Sequence, residues 1–97
     1  MLILQTLAAN QPMHGFEIAS HIQEHSEGVL QVEEGSLYPA LQRMVLSGWL
    51  TGDWDRTEEN RRARYYRLTT AGRKALQREL QRYARVTQAI ARVLQPT

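Results

Sequence analysis

The sequence predicts a mainly α fold with one small β-hairpin. Three observations predict it. Apolar residues recur at helical spacing in three short N-terminal stretches, each followed by a breaker. Two short runs rich in β-formers come next, separated by a polar loop. A last stretch repeats its apolar residues at alternating intervals of 3 and 4, the period of paired helices.

The first helix covers Met1–Ala9, with Leu4, Leu7 and Ala8 at helical spacing, and Asn10-Gln11-Pro12 breaks it. The second runs from about His14 to Ser26, with Ile18, Ala19 and Ile22 on one face, and Gly28 ends it. Val29–Val32 reads as a short extended piece. The third helix is expected to start near Ser36, a favourable N-cap residue, which leaves Pro39 in the first turn where proline is tolerated. Its inner face is Leu37, Ala40, Leu41, Met44 and Val45; Gly48 takes the left-handed C-cap position. Trp49–Trp54 and Ala63–Leu68 read as strands around the polar loop from Asp55 to Arg62. Thr69 or Thr70 caps a final helix reaching about Leu94, with Leu76, Leu80, Tyr83, Thr87, Ile90 and Leu94 along its seam. Helix, helix, helix, hairpin is the order of a winged helix-turn-helix. Residues 1–69 then form the winged-helix domain and residues 70–97 a C-terminal dimerisation helix.

Ninety-seven residues suit one domain whose modest core is helped by oligomerisation. The absence of cysteine excludes disulfides and thiolate metal sites. No apolar run is long enough for a transmembrane helix, and Met1-Leu2-Ile3-Leu4 lacks the features of a secretory signal. A cytoplasmic protein without a membrane partner is the expectation. The net charge of +2 hides a segregation. Residues 1–60 hold two basic and nine acidic residues, a net of −7, whereas residues 61–97 hold ten basic and one acidic, a net of +9. Eleven of the twelve cations are arginine, the side chain suited to bidentate phosphate contacts.

The chemistry-bearing residues cluster in two places. On the third helix, Pro39, Gln42 and Arg43 face away from the core, with Tyr38 on the flank. Ser36 and Tyr38 offer hydroxyls, and the helix N-terminus offers N–H groups, to a phosphate. Gln42 and Arg43 are side chains able to reach base edges in a major groove. The competing reading is an ordinary amphipathic helix, and Glu33 and Glu34 beside it repel DNA unless they turn aside. In the hairpin, Arg61, Arg62, Arg64 and Arg67 cluster on the returning strand. Alternation groups Arg62, Arg64, Tyr66 and Leu68 on one face. Cross-strand neutralisation by Asp55, Glu58 and Glu59 is the alternative. His14, His21 and His25 flank the second helix without a third ligand at metal-binding spacing, so structural histidines are expected. No phosphate loop and no nucleophile–base pair points to catalysis, and no cofactor or metal is expected.

His14-Gly15-Phe16-Glu17-Ile18, Gly35-Ser36-Leu37-Tyr38-Pro39-Ala40-Leu41, Gly48, Arg64-Tyr65-Tyr66-Arg67-Leu68-Thr69 and Ala71-Gly72-Arg73 together resemble the PadR family of transcriptional regulators. The likeness runs from about Ile3 to Leu94 and fits the short type with one C-terminal helix. It implies a homodimeric winged-helix protein that binds double-stranded DNA, usually as a repressor. It places Ser36, Tyr38 and Pro39 against DNA and gives the wing to Arg61, Arg62 and Arg64. It joins the last helix to the first in the dimer, which implies an interface of Leu4 and Leu7 with Leu76, Leu80, Tyr83, Thr87, Ile90 and Leu94. Three departures stand out. Phe16 replaces a frequent tyrosine, Val45 replaces a frequent glutamate, and the N-terminus is shorter than the family's. Members respond to varied signals, so a small aromatic effector is a possible partner, with Trp49, Trp54 and Tyr83 as candidate pocket residues. The operator implied is near-palindromic, with half-site centres about 34 Å apart. Two other readings share the fold: a protein-interaction module whose basic half docks an acidic partner, and a small-molecule sensor with weak DNA binding of its own.

Overall fold

The computed structural model describes residues 1–96; Thr97, the end of the expected C-terminal segment, lies outside the described residues. The elements are α1 (Leu2–Ala9), β1 (Met13–His14), α2 (Gly15–His25), α3 (Glu34–Leu46), β2 (Leu50–Arg56), β3 (Arg62–Leu68) and α4 (Thr70–Leu94). The three strands form one antiparallel sheet in the order β1-β3-β2. This is the winged helix-turn-helix expected, with one strand added. No described helix is long and apolar enough to cross a membrane.

β1 is too short to leave a period-2 signature in the sequence. Met13 pairs with Tyr66 and His14 with Tyr65. The preceding turn is held to the sheet by Gln11, whose side-chain oxygen accepts a hydrogen bond from the Leu68 N–H at 2.8 Å. β3 thereby becomes the central strand, tying the start of α2 to the hairpin.

The helix ends follow local chemistry. His14 caps α2 in a reciprocal box: its ring accepts from the Glu17 N–H, and the Glu17 carboxylate accepts from the His14 N–H. At the other end Glu27, not Gly28, takes the first left-handed position, at φ 53°. The Glu27 and Gly28 N–H groups bond back to the Glu24 and Gln23 carbonyls, a Schellman closure. α3 closes in the same way through Gly48, at φ 79°, with the Gly48 and Trp49 N–H groups on the Val45 and Met44 carbonyls. Thr69 caps α4, its hydroxyl accepting from the Gly72 N–H at 3.0 Å.

Two local expectations are corrected. Val29–Val32 is not extended strand. Val29 donates to the Ser26 carbonyl, Leu30 to the Ser26 hydroxyl and Val32 to the Gln23 side-chain oxygen. Ser36 does not cap α3. The helix starts at Glu34, with Glu33 as a cap residue that makes no side-chain bond, and the Ser36 and Leu37 N–H groups already donate to the Glu33 carbonyl. Pro39 therefore stands in the second turn, where its missing N–H leaves the exposed Gly35 carbonyl to solvent.

One core joins all the major elements. Leu4 and Leu7 come from α1, Ile18 and Ile22 from α2, and Leu37 and Leu41 from α3. Leu50, Tyr66 and Leu68 come from the sheet, and Ala75 and Leu76 from α4. Leu4, Leu7, Ile18 and Leu41 are 0% exposed, each worth about 1.5–3 kcal/mol of burial. This corrects three expected dimer contacts. Leu4, Leu7 and Leu76 lie in the chain's own core, Leu76 at 7% exposure, and present almost no surface to a second chain. Beyond this anchor α4 runs on with Leu80, Tyr83, Ile90 and Leu94 uncovered, and the molecule measures 59 × 29 × 22 Å.

Candidate nucleic-acid interface

The outer surface of α3 is as the periodicity required. Leu37 and Leu41 are buried, Ala40, Met44 and Val45 are half-buried, and Ser36, Tyr38, Pro39, Gln42 and Arg43 are exposed. These exposed residues do not form one row. Tyr38 and Gln42, four apart, face a concavity of about 1150 Å³ between α3, the start of α2 and the β2–β3 wing. Pro39 and Arg43 form the neighbouring row. Ser36 borders a different, mainly apolar groove beside Leu2, Leu30 and Met44.

Tyr38 is 47% exposed, and its ring lies against the backbone of Gly15. A Cβ at Gly15 would stand 2.8 Å from the ring, so only glycine lets Tyr38 rest there. The α2 start thus sets the position of an α3 side chain. Phe16, 70% exposed, sits at the same cleft beside His14, with ring centroids 6.4 Å apart. Its exposure follows from helical spacing, which puts Phe16 off the buried Ile18–Ile22 face.

The wing is a tighter hairpin than expected. Asp55 pairs with Ala63 and Arg56 with Arg62, which leaves a loop of residues 57–61. Asn60, at φ 62°, makes the turn. The Thr57 N–H donates to the Arg61 carbonyl at 2.7 Å, and the Arg56 guanidinium donates to the Asn60 carbonyl and side-chain oxygens. The register places Gly52, Trp54 and Arg56 on the same face as Arg62, Arg64 and Tyr66.

The wing arginines differ in setting. Arg62 lies over the Trp54 ring, 4.9 Å from its centroid, while both remain exposed. Such a contact is worth about 0.5–1 kcal/mol and stiffens the strand pair. Arg64 crosses Gly52, where a Cβ would collide with its side chain, and its guanidinium lies 5.7 Å from the Tyr66 ring centroid. Its Nε is buried without a hydrogen-bond partner among the described residues. Burial pushes the Tyr66 phenol above its ordinary value of 10.0, against the lowering influence of the Arg64 charge. Arg61 is exposed at the loop.

Among the described residues no wing carboxylate pairs with a wing arginine within 4 Å. The ion pair among the described residues is His14–Glu17, and Asp55 instead accepts from the Arg56 N–H. Glu58 and Glu59 line the cleft rim, without a partner cation within 4 Å among the described residues. His14 packs edge-on against Tyr65, while His21 and His25 stack at 3.8 Å on α2. Among the described residues no cluster of three or more His, Cys, Asp or Glu is placed to hold a metal. Trp54 belongs to the cleft, which contains neither Trp49, packed on the core, nor Tyr83, on the exposed part of α4.

The arrangement is one concave surface with an aromatic and amide row on a helix along one side and, along the other, arginines without an ion-pair partner among the described residues. Known proteins carry the same architecture. Residues 3–78 match the transcriptional regulator PadR-like family. A transcriptional regulator of Mycobacterium tuberculosis is 36% identical over 69 residues, covering 71% of this chain and 61% of that protein. The chain thus spans less than two thirds of that relative. A transcriptional regulator from Clostridium thermocellum superposes with a TM-score of 0.87 at 24% identity, covering 97% of this chain and 90% of that one. A PadR-like regulator from Bacillus cereus gives a TM-score of 0.80 at 25% identity, covering 98% and 89%.

Proposed function

Because the chain belongs to the PadR-like family of transcriptional regulators, we propose that it is a sequence-specific, double-stranded-DNA-binding repressor that acts as a homodimer on a near-palindromic operator. The observation that carries this reading is the cleft itself. It sets the Tyr38–Gln42 row of α3 opposite wing arginines that have no carboxylate within 4 Å among the described residues.

In this reading α3 enters the major groove. Gln42 and Arg43 face base edges, while Ser36, Tyr38 and the backbone around Pro39 lie against the sugar-phosphate chain. Arg61 and Arg62, at and beside the exposed loop, meet a flanking phosphate or the minor groove. Arg64, held beneath them against Tyr66, orients the wing and offers its outer nitrogens to phosphate.

Residues 1–69 form the reading domain and residues 70–97 the dimerisation segment, whose helix α4 is anchored in the core through its first turns by Ala75 and Leu76. Leu80, Tyr83, Thr87, Ile90 and Leu94 are exposed at intervals of 3 and 4, and a second copy of the same stripe supplies the missing cover. Two α3 helices about 34 Å apart then match successive major grooves.

The test is selection from random duplexes followed by anisotropy titration with wild type and Tyr38→Ala. A selected motif with two-fold symmetry is expected, with binding to it at least tenfold weaker in the variant at unchanged helicity. Selection that returns no motif, or a motif bound equally by Tyr38→Ala, overturns the assignment.

A further inference from the structure

The charge of α4 is unabsorbed by either the reading surface or the dimer seam. The helix carries Arg73, Lys74, Arg78, Arg82, Arg85 and Arg92 against a single acid, Glu79. All six cations are exposed. At about 100° per residue, Lys74, Arg78, Arg85 and Arg92 fall in one row, directly opposite the Leu80–Leu94 stripe. Arg82 flanks that row. Glu79 lies on the other side of the helix, beside the apolar stripe, and none of these arginines has a carboxylate within 4 Å among the described residues.

This pattern opposes the helix's own stability. Lys74–Arg78 and Arg78–Arg82 are like-charged pairs four residues apart, and Arg82–Arg85 is a pair three apart, all repulsive on a helix surface. The first turn has no acid and ends on Arg73, with Lys74 next, against the helix dipole. A solvated helix ordinarily interleaves both signs. An arginine row of this kind is relieved by a polyanion, and arginine suits phosphate. The row is about 27 Å long by helix rise. A duplex presents one charge per about 1.7 Å of its axis, so it can meet every member of the row.

We infer that the outer face of α4 is a second docking surface for nucleic acid, separate from the α3–wing cleft, through which one dimer holds a second duplex. The inference rests on the proposed function, in which the cleft holds the first duplex and a partner copy covers the apolar stripe. An anionic membrane is the less favoured occupant, because lying on a bilayer needs the apolar stripe as well as the arginines.

The experiment captures a labelled 30-bp duplex on an immobilised one through the full chain. It compares wild type, Arg78→Gln/Arg85→Gln/Arg92→Gln, and Arg61→Gln/Arg62→Gln. Bridging is expected in wild type. The α4 variant should lose it at least tenfold while binding the first duplex within twofold of wild type and keeping its helicity. The salt slope of second-duplex uptake should fall by up to about 2.7 per protomer. Undiminished bridging in that variant, or no bridging by wild type, overturns the inference. If the wing variant alone abolishes all duplex binding and the α4 variant changes nothing, the inference falls and the cleft reading stands. Wild type that binds no duplex removes both. A parallel arm uses phosphatidylserine vesicles; binding there through the same arginines, with no second duplex taken up, also overturns it.

Discussion

The two ends of α4 carry similar apolar spacing and meet opposite fates. Ala75 and Leu76 are packed with Leu4, Leu7 and Leu41, whereas Leu80, Tyr83, Ile90 and Leu94 stand in the open, Leu94 at 75% exposure. Spacing reports that a face is apolar; it does not report what covers it. The first helix makes the same point in reverse. Leu4 and Leu7, assigned by resemblance to an interface between chains, are covered entirely within one chain.

The sharpest test of this contrast is a pair of truncations. Leu41→Ala removes a fully buried side chain and should cost about 2–5 kcal/mol by urea unfolding, the same at every protein concentration. Ile90→Asp should leave the unfolding free energy of the monomer within about 0.5 kcal/mol. It should also abolish any rise of the midpoint with protein concentration. If Ile90→Asp costs as much as Leu41→Ala in a monomer at high dilution, the exposed half of α4 is not a free surface.

A second contrast lies within the reading surface. Tyr38 is positioned by the backbone it rests on, while Arg61 at the loop is positioned by little. Gly15→Ala should therefore act through Tyr38, pushing the ring from its seat. We expect a loss of about 1.5–3 kcal/mol on operator and random duplex alike, because Tyr38 lies against the sugar-phosphate chain, with the salt slope unchanged because no charge is removed. Arg61→Ala should weaken operator and random duplex alike and reduce the salt slope by about 0.9 per protomer. A loss confined to the operator would mean that Tyr38 reads a base edge rather than the sugar-phosphate chain.

Much of this was legible from short-range chemistry. Gly48, Thr69, the second helix and the reach of α4 to Leu94 follow from local rules of capping and periodicity. The exposed set on α3 does too, because Leu37 and Leu41 fix the phase of that helix whichever residue begins it. Three things were not legible. β1 has two residues, and its pairing depends on β3, fifty residues away. Val29–Val32 has strand composition, yet Ser26 and the Gln23 side chain claim the Val29, Leu30 and Val32 N–H groups first. Ser36 has cap chemistry, yet α3 begins two residues earlier. The cleft was legible as two lists of residues, not as one surface, because Gly15 and Gly52 declare their role only when Tyr38 and Arg64 are seen resting on them.

Local caps give the next effect in size. Thr69→Ala removes the hydroxyl that accepts from Gly72 and donates to the Gly48 carbonyl. It should cost about 1 kcal/mol, read as a lower urea midpoint. This joint lies on the anchored side of α4, so dimerisation should be spared. Glu27→Gly relieves a left-handed non-glycine residue and should gain about 0.5 kcal/mol, since the relief is partly offset by the freer unfolded chain. A destabilised Glu27→Gly protein would mean that the Glu27 side chain makes a contact that the Schellman closure alone does not need.

The smallest effect, absent at neutral pH, reports on the buried side of the wing. Burial raises the Tyr66 phenol above 10.0, and the Arg64 charge partly opposes the rise. The folded chain therefore holds this proton more tightly than the unfolded chain. The associated stability is complete below about pH 10 and is lost as pH climbs through the raised folded value. Difference absorbance against a Tyr66→Phe reference isolates this phenol. Arg64→Gln should move its titration still higher, because the lowering charge is gone while burial remains. A downward move would show that Arg64 shields Tyr66 from water more than it stabilises the phenolate. Arg64 would then belong to the packed body of the wing, leaving the exposed Arg61 and Arg62 as the arginines that meet DNA.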